Sequence, residues 1–101
     1  MIENKVYQMI SLAQKAGKIT AGEEMAEREI KDNKSKLVIV ATDSSQNTIK
    51  RFTDRCTFRH VPMFIFGTKE ELGQHIGKQF RAVLSVHDKG LAAAIIKLLE
   101  M

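Results

Sequence analysis

The run LVIVA, Leu37–Ala41, limits the fold more than any other stretch of the chain. Five apolar residues in a row, bounded by polar ones, cannot alternate between a wet and a dry face, so they suit a strand buried on both sides. Such a strand needs helices above and below it. Shorter apolar runs recur at Met63–Phe66 and Ala82–Val86, and Lys18–Thr20 can add a short edge strand.

The segments between these runs carry helical stripes. Ile2, Val6, Met9, Ile10 and Ala13 follow the i, i+3, i+4 spacing of an amphipathic helix that ends near Gly17, a natural stop. Gly22 to about Lys31 reads as a second helix with Met25, Ala26 and Ile30 turned inward, broken by Asp32, Asn33 and Lys34. In a third helix Ile49, Phe52, Thr53 and Cys56 share one face, and Pro62 keeps it from running through Val61. Thr68-x-x-Glu71 has the form of a capping box for a fourth helix, which carries Leu72 and Ile76 and stops about Gly77. Asp88 can cap a last helix through Leu91, Ile95 and Leu99. Helices and strands that alternate in this way predict one domain over residues 1–101. The fold class is α/β, a three-layer α/β/α sandwich around a central, mostly parallel, mixed four-stranded sheet.

The chain's 101 residues suffice for one core and not for two. With 44% apolar and 28% charged residues and one proline, it has the make-up of a globular protein rather than a disordered one. The longest apolar runs fall far short of the roughly 18 residues of a membrane span. The start MIENKVYQMI has no long apolar segment behind a basic one, so the expected location is the cytoplasm. Cys56 is the only cysteine, which removes intramolecular disulfides and multi-cysteine zinc arrangements.

Lys and Arg number 16 against 12 Asp and Glu, which points to an anionic partner. No segment is a block of one sign, so any basic face has to be assembled by folding.

Enzymatic signals are weak. Cys56 with His60 four residues on has the look of a nucleophile and base, but Cys56 lies on the apolar stripe of Ile49 and Phe52 and reads as a small buried hydrophobe. His60, His75 and His87 fall on different elements, and no metal or cofactor is predicted. The six glycines form neither a dinucleotide fingerprint nor a P-loop. Asp43, in ATDSS behind the best strand, stands where open sheets bind ligands; the competing reading, which is preferred, is that Asp43, Ser44 and Ser45 turn the chain and cap the third helix.

The runs AGKITAGEEMAEREI, KLVIVATDSSQNTIKRFTDRC, VPMFIFGTKEELGQHIGK and AVLSV, in that order, resemble the kink-turn-binding ribosomal-protein family (L-seven-Ae and L-thirty-e type), in particular its small bacterial YlxQ-like branch. The resemblance runs from about Leu12 to Leu99. It implies no enzymatic activity and binding to a sharply bent RNA loop flanked by sheared G·A pairs, with ribosomal or other ribonucleoprotein components as partners and no membrane. In that family a glycine-started second helix enters the RNA groove at the bend, with a polar pair two and three positions after the glycine and a basic residue six after it. Here these places hold Gly22, then Glu24 and Met25, then Arg28; better-known members carry asparagine and glutamate at the pair. The second contact region that the resemblance implies is the loop Gly77–Arg81, where Phe80 would stack on a splayed base, with Lys78, Gln79 and Arg81 beside it.

The residues themselves fit such a role. A helix amino terminus presents free N–H groups and the positive end of its dipole. Glu23, three residues after Thr20, can close a capping box and leave Glu24 to accept from base amino groups, while Lys15, Lys18, Arg28 and Lys31 attract the backbone. A protein-interaction module on the same fold, or a small-ligand enzyme built on Asp43, are the other classes open to this chain.

Overall fold

A computed structural model describes residues 1–101. Five helices and four strands alternate along the chain: α1 Ile2–Lys15, β1 Ile19–Ala21, α2 Glu23–Lys31, β2 Leu37–Val40, α3 Gln46–Arg59, β3 Met63–Ile65, α4 Lys69–His75, β4 Val83–Val86 and α5 Lys89–Leu99. All nine elements fall where the periodicities place them.

The strands form one sheet in the order β1-β4-β2-β3. Both central strands are buried along their whole length. Their side chains alternate between two cores. Leu37, Ile39, Ala41, Leu84 and Val86 meet Val6, Tyr7 and Ile10 of α1, Leu72 of α4 and Ala92 and Ile95 of α5. Val38, Val40 and Val83 meet Ala26 and Ile30 of α2 and Phe52 and Cys56 of α3. This is the expected three-layer sandwich. Each fully buried Leu, Ile or Phe contributes about 1.5–3 kcal/mol through the water it sheds.

The sheet is mixed, but its pairings are not mostly parallel. β1, β2 and β3 run the same way, yet β4 lies against them between β1 and β2, so only β2 with β3 is a parallel pair. The cause lies in the chain after β3. Helix α4 is only seven residues long, and the segment behind it folds back along it, with the Lys78 amide donating to the Gly73 carbonyl at 2.8 Å and the Arg81 amide to the Lys69 carbonyl at 3.0 Å. The chain thus re-enters the sheet at the end from which β3 left it.

Local signals resolve in different ways. Thr68 and Glu71 form the complete capping box, and the Asp88 carboxylate accepts from the Leu91 amide at 2.8 Å. Asp43 does not cap α3, whose N-cap is Ser45, accepting from the Thr48 amide. Instead Asp43 Oδ1 accepts from the Lys69 amide at 2.9 Å and ties the β2–α3 connection to the start of α4. Met25 is not turned inward. It is 46% exposed, because the buried stripe of α2 runs through Ala26 and Ile30 and Met25 stands about 100° of helical turn from Ala26. Thr53 is also exposed, its hydroxyl donating to the Ile49 carbonyl at 2.7 Å, while Thr48, four residues before Phe52, is buried.

Candidate nucleic-acid interface

Ala21 pairs with Leu84, Val40 with Val83 and Ile65 with Val40, so the connections after β1, β2 and β3 and the one before β4 share one end of the sheet. The amide of Gly22 donates to the carbonyl of Val83 at 2.9 Å. That bond places the start of α2 beside the first residue of β4, three residues after Phe80. Gly22 has φ 105° and ψ 151°, a region that residues with a Cβ avoid, and a Cβ built there would touch nothing within 4 Å. The need for glycine is conformational, and it turns the chain from the sheet edge into the helix.

No side chain caps α2, so the amides of its first turn face outward without a protein acceptor. Thr20 does not form a box with Glu23. Its hydroxyl donates to Glu29 at 2.6 Å, and Glu29 also accepts from the buried Ser85 at 2.7 Å, a polar clamp that fixes α2 on the sheet. Glu23 is instead held by α3, accepting from Thr48 at 3.2 Å and from the Arg51 guanidinium, which lies 5.3 Å over the Phe52 ring. Glu24 is free: its side chain is 88% exposed and its nearest cation is Arg28, at 4.0 Å. The outward face of α2 therefore carries Glu24 and Met25 in its first turn and Arg28 in its last.

The other half of the surface is held rigidly. Gly73, inside α4, is so close to the returning loop that an added Cβ would stand 1.4 Å from the carbonyl oxygen of Gln79. Phe80 is not tucked into the core; it is 65% exposed, above a shallow depression lined by Glu70, Gln74 and Lys78. The Arg81 guanidinium folds onto the Phe80 carbonyl at 2.8 Å. Lys69, Lys78 and Arg81 belong to no ion pair, whereas Glu23, Asp43 and Glu71 are each engaged by protein donors.

Gly22, Glu23 and Glu24 open α2 at this end of the sheet, and Phe80 and Arg81 lead into β4 there. Lys78 and Gln79 stand partway along α4 against Gly73, and Arg28 is in the last turn of α2. Lys15, Lys18 and Lys31 lie towards the other end, although Lys15 shares a depression with Gly77, where the loop begins. Lys15 and Lys31 close α1 and α2 at the far end, and the Lys18 carbonyl accepts from the His87 amide beyond the Ile19–Val86 pair. Residues that the sequence reading passed over are Gly73 and Lys69. A lone glycine within the helical pattern ELGQHI is the signal that marks a close backbone approach; for Lys69 there was none.

Chemistry elsewhere is muted. Burial pushes the Cys56 thiol up to about 11, which leaves it protonated and unreactive at neutral pH. Asp43 is exposed and already holds an amide, so nothing marks it as a catalytic carboxylate. The Glu71 carboxyl lies below the usual range, chiefly because the Tyr7 hydroxyl donates to it at 2.8 Å.

Residues 4–96 match the model of the ribosomal protein L7Ae/L30e/S12e/Gadd45 family. The chain belongs to this family. Among its curated members, it is 37% identical to the RNA-binding protein YlxQ of Bacillus subtilis over 93% of this chain and 94% of that one. It is 38% identical to the Enterococcus faecium RNA-binding protein YlxQ, over 95% and 92%. The large ribosomal subunit protein eL8 of Picrophilus torridus is 30% identical, over 88% of this chain and 71% of that one. A solved structure from Bacillus halodurans C, of a protein described as having unknown function, superposes with a TM-score of 0.94 at 29% identity, covering 96% of this chain and 98% of that one. The 15.5kD RNA binding protein of Giardia lamblia has the same fold, with a TM-score of 0.85 at 21% identity over 98% of this chain and 88% of that one. The YlxQ and eL8 relatives are named as RNA-binding and ribosomal proteins, and the reading of the chain as non-catalytic agrees with them. No helix is long and apolar enough to cross a membrane.

Proposed function

We propose that this chain is a non-enzymatic, ribosomal-protein-like RNA-binding protein that recognises structured RNA of the kink-turn type, through the amino terminus of α2 and the Gly77–Arg81 loop. The observation that supports the reading is the Gly22–Val83 hydrogen bond, which holds the start of α2 against the strand that the Gly77–Arg81 loop leads into. In this division of labour, the open first turn of α2 receives a phosphate, and Arg28, Lys69, Lys78 and Arg81 meet others. Glu24 accepts from the amino group of a guanine or cytosine, and Phe80 covers an unpaired base. Met25 offers an apolar contact where other members of the family place a hydrogen-bonding residue.

The test is a gel-shift titration at physiological salt of a kink-turn RNA against the same RNA with its G·A pairs made Watson–Crick. A gap of at least about tenfold, roughly 1.4 kcal/mol, supports recognition of the bend. Equal affinity removes that part of the proposal, and no binding to either RNA removes the whole.

A further inference from the structure

The end of the sheet opposite Gly22 carries a second charged surface. Lys15, Lys18, Lys31, Lys34, Lys36 and Arg59 are all exposed towards that end, and none is in an ion pair. Backbone bonds line up the connections that carry Lys18 and Lys36, and Lys36 and Arg59 line one depression. The Lys36 amide donates to the Val86 carbonyl at 2.8 Å, the His87 amide to Lys18 at 3.0 Å, and the Val38 amide to Pro62 at 2.9 Å, so residues 18, 87, 36 and 62 follow one another across the strand ends. Four strand ends span about 14 Å. The acids placed among them are Asp32, Asp88 and Glu29; Asp88 holds the Leu91 amide, and the Glu29 carboxylate is taken up by Thr20 and Ser85.

Helix dipoles explain half of this. Lys15, Lys31 and Arg59 close α1, α2 and α3, where cations offset the negative helix ends. Lys18, Lys34 and Lys36 lie in connections, outside any helix, and the dipoles give no reason for them. The depression between Lys36 and Arg59 is shallow and mostly polar. A docked protein helix needs apolar anchors in a groove; the exposed apolar side chain here, Phe58, lies outside that depression and is covered on one face by the Arg59 guanidinium at 5.6 Å.

We propose that this end is a second RNA-binding surface, which holds the phosphate backbone of a stem without reading its sequence. Because the body measures 31 × 27 × 25 Å, the two ends meet different RNA segments, and the protein bridges them. The inference rests on the RNA reading above.

The test uses the full chain, a labelled kink-turn hairpin and an uninterrupted RNA duplex, with ternary complexes read by gel shift. Wild type is expected to recruit the duplex to the hairpin complex. K18Q/K34Q/K36Q is expected to keep hairpin binding and thermal stability, to weaken duplex binding about tenfold or more, and to lower the salt slope for duplex by about 2 to 3. K18E/K34E/K36E should abolish recruitment. A wild-type protein that binds the hairpin and never recruits the duplex overturns the bridge alone. A glutamine variant that binds duplex as wild type does overturns it equally, and so does tighter binding of poly-glutamate than of duplex, which would assign the surface to an acidic protein segment. Failure to bind either RNA overturns the parent reading instead.

Discussion

The backbone of Gln79 passes so close to Gly73 that only a hydrogen fits between them, a Cβ on Gly73 coming to 1.4 Å from the Gln79 carbonyl oxygen. One glycine therefore fixes where Lys78, Phe80 and Arg81 stand. Gly73→Ala must push the loop off α4, at a cost of about 1–3 kcal/mol or more from overpacking, and RNA affinity should fall with it. Gly90→Ala is the control, since a Cβ there meets only the Asp88 carboxylate at 3.4 Å and alanine suits a helix better, by up to about 1 kcal/mol. Urea unfolding of both variants, with an RNA titration of each, checks the pair. A fully stable Gly73→Ala would show that the loop is not pinned.

Glu23 and Glu24 are neighbours with separate tasks. Glu23 latches α2 to α3 through Thr48 and Arg51. A double-mutant cycle of Glu23→Gln with Arg51→Gln should give a coupling of about 0.2–1 kcal/mol, the range for a pair that remains partly exposed. Glu24→Ala should change stability by less than about 0.5 kcal/mol, because the side chain touches only Arg28 at 4.0 Å, and its effect should appear in RNA discrimination. Reversed roles in these two measurements would contradict the assignment.

Glu71 gives the fold an acid-sensitive contact. Its carboxyl is lowered in the folded state, first by the Tyr7 hydroxyl and then by Thr68. A group whose folded pKa is depressed adds stability that is complete above its unfolded value, about 4.3 for glutamate, and that disappears as pH falls through the lowered value. Tyr7→Phe removes the largest cause. The stability difference between wild type and Tyr7→Phe should be widest near neutrality and narrow as Glu71 protonates. Because phenylalanine keeps the ring that packs on Phe66 and His75, at centroid distances of 4.9 and 4.4 Å, a difference that stays constant into acid would show that the bond to ionised Glu71 is not its source.

Cys56, 2% exposed in the core between α3 and the sheet, should resist a thiol reagent at neutral pH until the chain unfolds. The rate of labelling under native conditions should then follow the global unfolding equilibrium across a denaturant series. Rapid native labelling would mean that α3 opens on its own.

Much of this was readable from local sequence. The order of nine elements, the Thr68–Glu71 box, the Asp88 cap and the buried Cys56 all depend on residues within a few positions of one another, and periodicity and capping chemistry reveal such things. What depends on distant partners was hidden. Asp43 looks like a cap for the helix next to it and instead accepts from the first amide of α4, at Lys69, 26 residues on. Glu23 looks like half of a box with Thr20 and instead pairs with Arg51, 28 residues on. The direction of β4 follows from the return of residues 77–82 along α4, which the pattern of apolar residues does not record. Lys15, Lys18 and Lys31 are near Gly22 in sequence, yet Lys18 alone lies four steps of extended chain away from it, about 13 Å, at the other end of the sheet.

The central claim is that the first turn of α2 and the Phe80 loop act as one RNA-binding surface. Titrating a kink-turn RNA into isotopically labelled protein and following backbone amide shifts tests it most directly. The largest changes are expected together at Gly22–Met25 and Lys78–Arg81, saturating at one RNA concentration. Changes confined to one of the two segments, or centred on the outer faces of α1 and α5, would contradict it.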